Sequence, residues 1–126
     1  MFLDTDVVLA IVKKSDWLAK EIDISKLKSP VTSSLVVVEA ELVIYREIGR
    51  KDVINLPDLI KNKIKIENFT REMILKGNEL MSKYENLNIF DAFHVASCIV
   101  LKQDMVSTDH LFGRINEIKH IDPRNL

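Results

Sequence analysis

The chain has 126 residues, of which 47% are hydrophobic and 29% charged, with a formal net charge of −1. These values predict one soluble globular domain over residues 1–126, with a core that needs neither disulfides nor a structural metal. They exclude a protein that coats nucleic acid through a uniformly basic face, and no apolar run approaches the ~20 residues that cross a bilayer.

The chain opens Met1-Phe2-Leu3-Asp4-Thr5-Asp6. Phe2-Leu3 is too brief for anything but a strand, and two acids follow it at once. Those acids also break any secretory signal, so a cytoplasmic location is expected. Val7 to Lys14 reads as a helix. Ser15 to Lys20 reads as a second helical stretch, with Trp17 as a packing anchor. Pro30-Val31-Thr32 is a short strand. Thr32, Ser33 and Ser34 are good helix caps, and a helix from Leu35 to Ile48 follows, stopped by Gly49. Val53 to Asn62 is expected to be a short helix with Pro57 near its start. Lys63-Ile64-Lys65-Ile66-Glu67 alternates polar and apolar, as a strand does.

Thr70 caps a helix from Arg71 to about Tyr84, and Asn88 caps another from Ile89 to Lys102. The single cysteine, Cys98, lies in the apolar run Ala96-Ser97-Cys98-Ile99-Val100 of that helix. No cation neighbours it, so it is expected to be a buried, inert thiol. Asp104-Met105-Val106-Ser107 forms a strand, and Lys119-His120-Ile121 a last short one. Strands separated by helices predict βαβ units with right-handed crossovers, hence a three-layer α/β/α domain around a parallel sheet.

In open parallel sheets, ligands bind beyond the carboxyl ends of the strands. Asp4 follows the first strand, and Asp109 follows Met105-Val106-Ser107. Glu39 lies about two turns into the helix after Val31, in an apolar stripe with Leu35, Val36, Leu42 and Val43. Asp91 is in the first turn of the helix capped by Asn88. Four acids from four parts of the chain are thus expected near one edge of the sheet. Like charges gathered together are costly, and a hard divalent cation, Mg²⁺ or Mn²⁺, is the usual remedy for all-oxygen ligands. Such an ion activates water and offsets charge on a phosphoryl group. The chemistry indicated is phosphodiester hydrolysis.

The segments FLDTDVVLA, VTSSLVVVEAELV, NIFDAFHVASCIV and MVSTDHLF, in that order, resemble the four signature segments of PIN-domain nucleases. More narrowly, they are similar to the small VapC-type toxin ribonucleases of toxin–antitoxin pairs. The resemblance covers essentially the whole chain. It implies a PIN-like, Rossmann-like fold and metal-dependent endoribonuclease activity with Mg²⁺ or Mn²⁺. It also implies an RNA substrate, a homodimer, and inhibition by a small antitoxin. The family's four acids fall on Asp4, Glu39, Asp91 and Asp109.

Three features depart from the family pattern or compete with it. Asp6 stands where Asn or Ser is common, and either adds negative charge or faces solvent. Glu41 competes with Glu39; two residues apart on a helix, they point to roughly opposite faces. No acid follows Asp109 before Glu117, which leaves the number of metals, one or two, open.

Other residues carry weaker signals. Thr5 and Thr108 neighbour ligand candidates and are expected either to orient a metal-bound water or to cap a helix. His94, one turn past Asp91, reads as a packed neutral histidine rather than a base; His110 reads as a surface residue and His120 as a strand residue. Lys13, Lys14, Arg46, Arg50 and Lys51 are candidates for phosphate contacts. Two other functions fit a chain of this kind. One is a PIN-like domain without activity that serves in binding. The other is a phosphoryl-accepting receiver module, for which the late strand should lead to a lysine rather than Ser107-Thr108-Asp109.

Overall fold

A computed structural model describes residues 1–13, 16–53 and 56–126, with the side chains of 52 and 53 set aside. Five strands form one parallel sheet: β1 (Phe2–Leu3), β2 (Val31–Ser33), β3 (Lys65–Glu67), β4 (Met105–Val106) and β5 (His120–Ile121), in the order β3-β2-β1-β4-β5. The register pairs Phe2 with Val31 on one side, and Phe2 with Met105 and Leu3 with Val106 on the other. The chain builds outward from β1 through β2 to β3, then returns to place β4 against the opposite side of β1. The strand order therefore reverses between β1 and β4, the kind of position where a crevice opens at the strands' carboxyl ends.

Among the described residues, six α-helices connect or flank the strands: α1 (Thr5–Val12), α2 (Ser34–Glu47), α3 (Arg50–Val53), α4 (Leu56–Ile60), α5 (Arg71–Lys83) and α6 (Ile89–Leu101). The first four pack with one another around α1 and α2, and α5 packs along α6. The result is the expected three-layer α/β/α fold. Its core runs through Phe2, Leu3, Val7, Val8, Val36, Ala40, Val95, Met105, Val106 and Phe112, all buried. Among the described residues, no helix is long and apolar enough to cross a membrane.

The helix signals hold up in detail. Ser33 Oγ accepts from the Val36 amide (3.2 Å), Thr70 Oγ1 from Met73 (3.3 Å) and Asn88 Oδ1 from Asp91 (2.9 Å). Gly49 takes φ +124° just past α2, a conformation that favours glycine over side chains with a Cβ. α6 closes without a glycine, on Lys102 in the left-handed region at φ 56°.

Three expectations need correction. Trp17 is exposed, not a packing anchor: the short 3₁₀ helix Trp17–Lys20, capped by Asp16, turns Leu18 inward and lays Trp17 outside, where Arg124 sits 5.9 Å from its ring. Of the helix expected over 53–62, the described residues place Val53 at the end of α3 and Leu56–Ile60 in α4. Pro57 stands in the first turn of α4, where its missing N–H leaves no bond unmade; Ile54 and Asn55 lie outside the described residues. α1 begins at Thr5, directly after Asp4, rather than at Val7, and ends at Val12; Lys14 and Ser15 lie outside the described residues.

Candidate metal centre at the strand reversal

Asp4 occupies the N-cap position of α1, yet its side chain makes no capping bond. Its Oδ2 instead accepts a hydrogen bond from Ser107 Oγ (2.8 Å), which stands at the matching position past β4. The residue is 8% exposed. Burial pushes its pKa up to about 7, helped by the negative charge of Asp6 and opposed by His94 and the Ser107 hydroxyl. Burial disfavours the charged form, and the protein's own donors do not compensate it fully.

Glu39 reaches the same place from the second turn of α2. Thr5 Oγ1 donates to its Oε1, and His94 Nε2 lies 3.3 Å from its Oε2. Burial alone would raise the Glu39 carboxyl, but the bonds from His94 and Thr5 outweigh it and hold the pKa below the ordinary value. His94 Nε2 is also 4.0 Å from Asp4 Oδ1. Asp4, Glu39 and His94 each offer one ligand atom, and these atoms all lie within 4.8 Å of one another.

The other two predicted acids stand beside this group, outside that distance. Asp91, half-buried in the first turn of α6, has its carboxyl raised by burial against the pull of His94, and raised further by the charges of Asp109 and Glu39. Asp109 is exposed; its Oδ1 accepts from the Leu111 amide (2.9 Å) and starts the 3₁₀ helix His110–Arg114. Its own amide donates to Ser107 Oγ (3.1 Å). One serine hydroxyl thus touches Asp4 and the backbone of Asp109 together. Glu41 is half-buried and takes no part in the group of ligand-capable atoms found among the described residues.

Several groups of the site were not given these places by sequence reasoning. Asp6 is half-buried, and its negative charge bears on Asp4. Its Oδ1 accepts from the Val7 amide (2.8 Å), while its Oδ2 takes both the Thr108 amide (2.8 Å) and the Thr108 hydroxyl (2.5 Å). It latches the turn that carries Asp109. Thr5 and Thr108 hold acids, Glu39 and Asp6 respectively. His94 is packed, as expected, with no exposed surface, but it faces the acids. The only available signal was position: Ser107 and Thr108 follow β4 as Asp4 and Thr5 follow β1. Of the candidate phosphate contacts, Lys13 is drawn to Glu47 (2.5 Å). Cys98 is buried and its thiol pushed well up by that burial.

The PIN domain profile matches residues 1–118. The chain belongs to the PIN domain family. Its fold is that of solved toxins and toxin–antitoxin complexes. The VapC20 toxin of Mycobacterium tuberculosis, described as cleaving the sarcin–ricin loop, is 17% identical with a TM-score of 0.74, over 93% of this chain and 97% of that one. A toxin–antitoxin complex from Klebsiella pneumoniae gives 15% identity and a TM-score of 0.72, over 97% and 96%. VapBC2 of Rickettsia felis, solved with a DNA fragment from its promoter, gives 16% and 0.72, over 95% and 96%. Comparison with curated proteins gives no sequence match.

The donor set of this PIN domain fits a hard divalent cation. Its acids offer carboxylate oxygens from separate elements, and one of them, Asp4, is buried with its charge incompletely compensated.

Proposed function

We propose that this PIN domain is a metal-dependent endoribonuclease acting as the toxin of a toxin–antitoxin pair. The observation that carries this reading is the convergence of Asp4 and Glu39, with Asp91 and Asp109 alongside, at the reversal between β1 and β4. Asp4, Glu39 and Asp91 would hold the principal Mg²⁺ or Mn²⁺, and Asp109 would complete the site directly or through water. When bound, such an ion acidifies a coordinated water and offsets charge on the phosphate.

The chain's own groups set this up. Ser107 orients Asp4, Thr5 orients Glu39, and Asp6 fixes the turn that presents Asp109. In-line attack on phosphorus needs the scissile phosphate over these carboxylates, whose repulsion of it a bound cation would offset.

RNA as substrate, an antitoxin and a homodimer as partners, and the cytoplasm as location belong to the same proposal. A sarcin–ricin-loop-cleaving toxin and two toxin–antitoxin assemblies with this fold support it. So does the outer face of α2, which leaves Val38, Leu42 and Tyr45 exposed as one apolar stripe, the kind of surface a protein partner covers.

The test is cleavage of RNA by the purified protein with and without Mn²⁺, beside Asp91→Asn. Mn²⁺-dependent cleavage that Asp91→Asn abolishes is expected. Equal behaviour of the two proteins would end the enzyme reading and leave the inactive binding domain in its place.

A further inference from the structure

We propose that His94 is a positioning residue that donates its Nε2–H to Glu39 and aims that carboxylate at the ion without binding the ion itself. This rests on the metal-dependent reading above and deepens it.

His94 has no exposed surface, and its two ring nitrogens meet opposite conditions. Nε2 lies 3.3 Å from Glu39 Oε2. Nδ1 is buried and has no hydrogen-bond partner among the described residues. Two placements of the proton meet that geometry differently. An N–H at Nδ1 would be buried without an acceptor, which costs free energy. With the proton on Nδ1 alone, moreover, the lone pair of Nε2 faces a carboxylate oxygen. With a proton on Nε2, Glu39 receives a real hydrogen bond.

That proton on Nε2 decides between two roles for the ring. A nitrogen that carries a proton toward Glu39 has no lone pair for a metal. His94 therefore serves the site through Glu39, as the partners of ligating carboxylates generally do. It completes a clamp, since Thr5 Oγ1 holds Oε1 while His94 holds Oε2. Each carboxylate oxygen keeps a further lone pair for an ion. The clamp also fixes α6 against α2, so the helix that carries Asp91 is set relative to Glu39.

The test combines three measurements on the full chain. Long-range ¹H–¹⁵N NMR of the wild type near neutral pH should find the His94 proton on Nε2. Mn²⁺ titration by calorimetry should show affinity falling about ten- to a hundredfold in His94→Leu, as for other outer partners of metal ligands. His94→Gln, which keeps an N–H at comparable reach, should recover most of it. Pulsed EPR of the Mn²⁺-loaded wild type should show no directly bound imidazole nitrogen. An Nε2 that carries no proton, a bound nitrogen in the EPR spectrum, or unchanged Mn²⁺ affinity in His94→Leu each overturns the proposal and leaves the metal reading standing. A wild type that takes up no Mn²⁺ overturns both. Should His94→Leu fail to fold, the NMR tautomer and His94→Gln still decide.

Discussion

Asp4 and Ser107 meet across the β1–β4 pair. Leu3 is in register with Val106, so the residue after each strand stands beside the other, and the serine hydroxyl donates to the aspartate at 2.8 Å. The contact joins residues 103 positions apart in the chain. It locates the centre of the site at the seam where the sheet changes direction.

Glu39 and Glu41 give the sharpest comparison. Glu39→Gln keeps the size of the side chain and removes half of its accepting capacity, so RNA cleavage should fall by more than the ~10–100-fold seen for outer partners of metal ligands. Glu41→Gln should stay within about threefold of wild type. Equal losses in both variants would remove Glu39 from the ligand set.

Asp6 should behave as a latch. Asp6→Ala strands the Thr108 amide and loses the hydroxyl bond, a cost of about 1–3 kcal/mol. In a double-mutant cycle with Thr108→Val, the two losses should be coupled by at least about 0.5 kcal/mol, measured by urea unfolding. Purely additive losses would mean that the contact carries no energy.

The pH dependence of stability follows from Asp4. Its folded pKa, pushed up to about 7, lies above the ordinary value of 3.8. The folded state therefore keeps a proton that the unfolded chain has already lost, and stability from this group is fully present below about pH 4 and lost as pH rises through about 7. Glu39, held below its ordinary value, acts in the opposite sense, and only at more acid pH. The Tm of metal-free protein should decline between pH 5.5 and 8 more steeply than that of Asp4→Asn. Mn²⁺ should raise the wild-type Tm more at pH 8 than at pH 5.5, because the ion then displaces no proton. Parallel pH profiles for the two proteins would contradict this account.

Gly77 lets α5 and α6 approach closely. A Cβ there would fall on the ring of Phe93, which is itself packed against Phe69 at 5.3 Å between centroids. Alanine would gain about 1 kcal/mol of helix propensity, but overpacking costs about 1–3 kcal/mol. Gly77→Ala should lower the Tm by a few degrees, while Asn78→Ala, at an exposed position of the same helix, should leave it nearly unchanged.

The order of elements was readable because it rests on local signals. The hydroxyls at Ser33 and Thr70, the amide at Asn88 and the glycine at Gly49 act within four residues of where they stand. The positions of Asp4 and Asp109 at strand ends were readable for the same reason. The Ser107–Asp4 and Thr108–Asp6 bonds were not. They depend on which residue of β4 lies beside which residue of β1, and register is a property of two distant segments. Trp17 misled because apolar size signals burial only when the local helix turns that residue inward; here Leu18 takes the inner position. His94 was rightly read as packed, but a buried histidine beside apolar neighbours gives no hint of which side chain its nitrogen faces.

The long span between β1 and β4 has a consequence during translation. Asp4 leaves the ribosome about a hundred residues before Ser107, and no nearer segment can supply the missing neighbour of β1. The bond that orients Asp4 is thus absent from every nascent chain until Ser107 has emerged, whatever has been made before it.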